Sequence, residues 1–206
     1  MNKKGRLMII SGPSGSGKGT VVNKLIEKGG YMVSISATTR QPRENEVDGV
    51  NYYFKSKNEF EEIIGEDGFL EYACYNGNYY GTPKKAVFDK LETGVNVILE
   101  IEVQGALKIK EAYPDTLMIM IAPPTYSNLE RRLRDRGDTK EEDIVKRLSI
   151  ARKELGELSS YSHLVVNYDG RLAETVDTIC RIVDGEEISE CLTENNGDFI
   201  KQFYMQ

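Results

Sequence analysis

The stretch Leu7-Met8-Ile9-Ile10-Ser11-Gly12-Pro13-Ser14-Gly15-Ser16-Gly17-Lys18-Gly19-Thr20-Val21-Val22 decides the fold. An apolar run opens it, and a helical pattern with Val21, Val22, Leu25 and Ile26 on one face follows. A glycine-rich turn between a strand and a helix lets backbone N–H groups converge on an anion. Lys18 adds a mobile positive charge for the outer phosphates of a nucleotide. The match to G-x-x-x-x-G-K is complete, but Gly19 stands where the general pattern has Ser or Thr. That hydroxyl normally ligates Mg²⁺. A metal here is therefore held differently, through water or by Thr20.

The 206 residues suffice for one domain with a sizeable core and sub-lobes. A net charge of -6 argues against a general nucleic-acid binder, so the positions of the arginines become informative. No run approaches the ~18 apolar residues of a membrane span. The basic start, Met1-Asn2-Lys3-Lys4-Gly5-Arg6, leads into a strand too short for a signal-peptide core. Cys74, Cys180 and Cys191 lack C-x-x-C spacing and read as reduced thiols of a cytoplasmic protein. Cys180 is expected in the core, and the single histidine, His163, at the start of a strand.

Apolar runs alternate with helical patterns, which indicates an α/β protein with a parallel sheet. Strands are expected near 7–11, 31–36, 95–101, 116–121 and 163–167. Helices are expected near 18–27, 104–112, 128–136, 140–158 and 172–183. Ser127-x-x-Glu130 and Thr139-x-x-Glu142 have the capping-box pattern. Residues from Thr38 to about Leu91 break the alternation. This insert carries a short helix around 59–64 and an Asn76-Gly77 hairpin signal. It reads as a small mixed lobe. After about Gly185 the chain turns polar, and residues 194–197 read as a turn or loose tail.

Arg40 and Arg43 flank Pro42 just past an expected strand end. They either grip one phosphate from two directions or stand as solvated surface charges. The strand Val95-Asn96-Val97-Ile98-Leu99-Glu100-Ile101-Glu102 ends in two carboxylates that period-two alternation places on one face. On a helix, Arg132 and Arg136 share a face.

These stretches do not stand alone. Thr38-Thr39-Arg40-Gln41-Pro42-Arg43, with Glu46, Gly49 and Tyr52 after it, is followed by Glu71-Tyr72-Ala73 and by Gly77-Asn78-Tyr79-Tyr80-Gly81-Thr82. With a phosphate loop beginning Gly12-Pro13-Ser14-Gly15, the chain from about Arg6 to Gly185 resembles the guanylate kinases. That family shows T-T-R-x-P-R-x-x-E-x-x-G-x-x-Y, E-(aromatic)-A and G-N-Y-Y-G-[ST] in this order. The resemblance implies a transferase that moves the γ-phosphoryl group of ATP to GMP, with Mg²⁺. Its partners would be ATP and GMP or dGMP, not nucleic acid or membrane, and it would be a monomer or homodimer.

The implied fold is a P-loop parallel-sheet core with helices on both faces (1–37, 93–125 and 159–185), a GMP-binding lobe (38–92), a helical lid (126–158) and a tail of unassigned role (186–206). On this resemblance, residues 12–20 bind ATP, with Lys18 also catalytic. Arg40, Arg43, Glu46, Tyr52 and Tyr80 match the GMP phosphate region, Arg43 being also catalytic. Ser36, Glu71 and Thr82 match the guanine readers. Guanine presents N1–H and N2–H₂ side by side to a carboxylate, whereas adenine presents a lone pair at N1, so Glu71 can discriminate by about 10⁴. Tyr53, Tyr75 and Tyr79 are assigned to lobe packing.

Glu100 and Glu102 either bind Mg²⁺ through water or accept hydrogen bonds from the acceptor nucleotide. Alternatively, one pairs with an arginine. Arg132, Arg136 and Arg147 match lid arginines that stabilise the transferring phosphate, and Asn167 matches a position near the adenine. Two rivals are a kinase of the same fold acting on AMP or a sugar phosphate, and a guanylate-kinase-like binding module without catalysis. The residues Glu71, Ser36 and Thr82 argue against the first, and Lys18, Arg136 and Arg147 against the second.

Overall fold

Apolar runs bounded by turn residues become strands, and 3.6-residue apolar spacing becomes helix. In the computed structural model, which describes residues 4–101, 103–135, 140–193 and 198–205, the order is β1 (Leu7–Ser11), α1 (Lys18–Lys28), β2 (Tyr31–Val33), β3 (Ala37–Thr38), β4 (Tyr53–Phe54), α2 (Lys57–Gly65), β5 (Phe69–Tyr75), β6 (Asn78–Pro83), α3 (Lys84–Glu92), β7 (Asn96–Leu99), α4 (Val103–Ala112), β8 (Leu117–Ala122), α5 (Tyr126–Arg134), α6 (Glu141–Gly156), β9 (His163–Val166), α7 (Leu172–Asp184) and α8 (Phe199–Met205). It is an α/β fold with parallel core strands. The chain divides into two units, Met1–Leu7 with Gly30–Thr116, and Met8–Gly29 with Leu117–Gln206.

In the second unit, β8 pairs in parallel with β1 on one side and β9 on the other. All six residues of β8 are buried, as a strand covered on both faces requires. Helix α1 buries Val21, Val22 and Leu25. Ile26, expected on that face, is exposed, because it lies about 100° around the helix from Leu25. Helix α7 buries Val176, Ile179, Cys180 and Val183. Parallel pairing brings the loops after β1, β8 and β9 to one edge, where open α/β sheets bind ligands.

Helix α5 begins before the expected capping box. Thr125, extended at φ -142, accepts a hydrogen bond at 3.0 Å from the Asn128 N–H, so it is the cap and Ser127 is helical. Pro123 and Pro124 lack N–H groups and disfavour helix in the residue before each, and the extended chain then leads into Thr125. Thr139, of the second expected box, lies outside the described residues. The expected helix over 140–158 ends at Gly156, and a 3₁₀ turn follows at Leu158–Ser160.

In the first unit, β2 pairs with β7 in parallel. A separate four-stranded sheet runs β4-β3-β6-β5. Its β5–β6 hairpin turns at Asn76 (φ 49) and Gly77 (φ 79), the doubly positive φ that a two-residue hairpin favours. Phe60, Phe69 and Ala37 form a buried cluster, with Tyr53 and Tyr79 packed against it. Tyr75, expected to pack there, is exposed. Ser56 and Glu59 close a capping box on α2.

Candidate active site

The phosphate loop spans residues 12–17, between β1 and α1. Pro13, Gly15 and Ser16 are buried, Gly12, Gly17 and Lys18 half-buried, and Ser14, Gly19 and Thr20 exposed. Gly17, at φ 85, caps α1 in the left-handed region. A Cβ there would come within 2.3 Å of Asn167 Nδ2, so the position excludes any other residue on both counts. The Asn167 amide donates to the Ser16 carbonyl at 2.9 Å, and its Oδ1 accepts from Thr175 at 3.2 Å. Asn167 is thus a buried strut beneath the loop.

Arg132 performs a related task from α5. Its Nη1 donates to Ser16 O at 3.2 Å, and its Nη2 to Asn167 O at 2.7 Å. Nε and Nη2 together grip Asp169 Oδ1 at 3.1 and 2.7 Å. The guanidinium beside it, with that of Arg131, holds Asp169 below the usual carboxylate range. Arg132 therefore braces the loop from below. Lys18 and Arg147 are half-buried and form no ion pair among the described residues. Ser16 Oγ is buried without a hydrogen-bond partner among the described residues. Arg136 and Glu102 lie outside the described residues.

In the first unit a cavity of about 510 Å³ is lined by Ser36, Tyr52, Glu71, Tyr80, Glu100 and Lys108, among others. That volume suits a nucleotide-sized ligand. Glu71 stands on β5 opposite Thr82 on β6, whose hydroxyl donates to Glu71 Oε1 at 2.8 Å. Burial pushes the Glu71 carboxyl up, against the opposing effects of Thr82 and Lys108. Arg40 donates to Glu46 at 2.8 Å and lies 5.5 Å from the Tyr52 ring, which meets Tyr80 edge-on at 6.1 Å. Glu46 also accepts from the Arg43 N–H at 2.8 Å, and these bonds hold it below its ordinary value. The Arg43 guanidinium is exposed and forms no ion pair among the described residues.

The structure thus brings Ser36, Tyr52, Glu71, Tyr80 and Glu100 to one cavity, beside the Arg40–Glu46 pair. Sequence reasoning missed Asp169 and Lys108. Asp169 follows Asn167 just past a core strand, a signal for a site loop. Lys108 sits on the helix that follows Glu100, one turn beyond Gly105. No cluster of three His, Cys, Asp or Glu able to hold a metal occurs among the described residues.

A family model described as guanylate kinase matches residues 4–186. The guanylate kinase of Clostridium acetobutylicum is 51% identical over 167 residues, covering 81% of this chain and 80% of that protein. The guanylate kinase of Caldanaerobacter subterraneus subsp. tengcongensis is 48% identical over 199 residues, covering 96% and 94%. Among solved structures, guanylate kinase from Anaplasma phagocytophilum aligns with a TM-score of 0.64 at 31% identity, covering 91% of this chain and 89% of that one. A match this long, on a chain that carries both the braced loop and the Glu71 cavity, places it plainly: the chain belongs to the guanylate kinase family.

Proposed function

We propose that the chain transfers the γ-phosphoryl group of ATP to GMP, giving ADP and GDP, within purine nucleotide metabolism and GMP recycling. The observation that carries this reading is Glu71, a half-buried carboxylate with one oxygen engaged by Thr82 and a nucleotide-sized cavity in front of it. Two parallel N–H donors on a base replace the water that such a carboxylate has lost. Guanine supplies them and adenine does not. Ser36 and Thr82 stand beside it as further readers, while Arg40, Arg43, Tyr52 and Tyr80 hold the acceptor's phosphate. Glu46 fixes Arg40 and the Arg43 backbone.

The loop over residues 12–20 takes the phosphates of ATP, with Lys18 against the transferring group. Phosphoryl transfer asks little covalent participation of a protein, and positioned cations supply most of the stabilisation. Arg136 and Arg147 serve as those cations, with Arg132 supporting the loop. A phosphate monoester is already ionised near neutral pH, so no general base is needed. Mg²⁺ would arrive with the ATP phosphates, as this cation usually keeps several waters and binds through substrate phosphates. The exposed Thr20 hydroxyl, on the first turn of α1, would be a protein oxygen able to hold it. When bound, the metal would supply charge neutralisation to the phosphates. Glu100, in the Glu71 cavity, serves the acceptor nucleotide.

No described helix is long and apolar enough to cross a membrane. We place the enzyme in the cytoplasm, where both nucleotides occur. The test is ADP release with ATP and Mg²⁺ across GMP, dGMP, AMP, UMP and ribose bisphosphate. Turnover is expected with the two guanine nucleotides. Equal turnover with AMP would favour a kinase of broader acceptor range, and none with any acceptor would favour a binding module.

A further inference from the structure

We propose that Lys108 is a specificity-determining residue of the acceptor site, acting on the guanine base through Glu71. The proposal rests on the reading of Glu71 as base reader. Glu71 Oε1 is engaged by Thr82, and Oε2 faces α4, where a Cβ built on Gly105 would lie 3.5 Å from it. Lys108 is three residues beyond Gly105, on the same side of α4, and lines the same cavity. It is the only cation lining that cavity among the described residues.

The chemistry requires an ionised Glu71. A carboxylate accepts both guanine donors, whereas a protonated acid would place an O–H against one of them. Burial works against that ionised form, and the Lys108 ammonium works for it. The other groups that line the cavity do not do this. Glu100 is a like charge, Tyr52, Tyr72, Tyr75 and Tyr80 offer phenol hydroxyls, Cys74 a thiol and Ser36 a hydroxyl, and none of these is a cation. Lys108 is exposed, so its influence is screened by water and salt and is modest.

The experiment is the pH profile of kcat/KM for GMP in the native enzyme and in Lys108→Met, Lys108→Gln and Lys108→Arg. Both neutral variants are expected to move the acid limb to higher pH by roughly half to one unit, a three- to tenfold loss on that limb. Little change is expected near about pH 8. Lys108→Arg keeps the native limb, the KM for ATP stays unchanged in all three, and the difference shrinks in about 0.5 M salt. An unmoved acid limb in the neutral variants overturns the proposal, as does a loss equal at every pH, which would mark a structural role. Glu71→Gln is run alongside. If it keeps the native preference for GMP over AMP, the base-reading assignment fails. If it loses that preference while the acid limb of Lys108→Met stays native, only the role of Lys108 fails.

Discussion

The loop between β1 and α1 and the Glu71 cavity are built on opposite plans. The loop offers main-chain groups and is braced from below by buried side chains, Asn167 and Arg132, that bond its carbonyls. Its lysine, Lys18, proposed above to meet the transferring phosphate, is left without an ion pair among the described residues. The cavity offers side chains, and most of these are already engaged with one another, Thr82 with Glu71 and Arg40 with Glu46. A phosphate looks much the same from every direction, so a rigid main-chain cradle with one mobile charge suffices. A base must be told from its isosteres, which takes a desolvated polar group that suffers when left unmatched.

That contrast is most easily broken at Lys18. Lys18→Ala is expected to lower kcat by roughly 10²-fold or more, the loss that removal of a charge stabiliser implies. The preference for GMP over AMP should survive it. Steady-state kinetics with both acceptors check this, and normal turnover would remove the loop from the mechanism. Arg132→Ala tests the brace. It removes the guanidinium donor to the Asn167 carbonyl, one of two side-chain donors to Ser16 O and one of two guanidinium partners of Asp169, so denaturant unfolding should show a loss of about 1–3 kcal/mol. The KM for ATP should rise while that for GMP does not. Arg132→Lys should recover little, since an ammonium cannot reproduce the fork.

The smallest effects are in the pH dependence of stability, where the two regions have opposite signs. Asp169 is held below its ordinary value by Arg132. Its contribution is present above the usual carboxylate range and fades as pH falls through the lowered value. Asp169→Asn should flatten the acid side of the unfolding midpoint by less than about 1 kcal/mol, because the carboxylate is 54% exposed. Glu71 is raised by burial, so its ionised form costs stability above the raised value, and that cost vanishes as pH falls through it. Glu71→Gln should therefore leave the neutral-pH midpoint unchanged or higher while damaging acceptor choice. A clear fall in that midpoint would mean that the carboxylate is structural.

The strand–loop–helix unit at residues 7–28 was legible in the sequence because glycine spacing, apolar runs and helical periodicity are local signals. The Asn76-Gly77 turn was legible for the same reason, since doubly positive φ selects those residues. Helix α3 was not, because only Val87 and Leu91 mark its buried face. Helix α8 was obscured by a polar approach, although Phe203 is buried. The order of motifs picked out Ser36, Tyr52, Glu71, Tyr80 and Glu100, which meet in one cavity. What the sequence hid was pairing across long separations. Nothing local says that Arg132 turns inward to Ser16, 116 residues away, or that Lys108 faces the cavity of Glu71.

The ratio of kcat/KM for GMP to that for AMP, measured with ATP and Mg²⁺ in the native chain and in Glu71→Gln, tests whether Glu71 reads the base. A native ratio on the order of 10⁴ is expected to collapse by at least about 10²-fold in the variant, with the KM for ATP unchanged. A ratio that is the same in both proteins would contradict it.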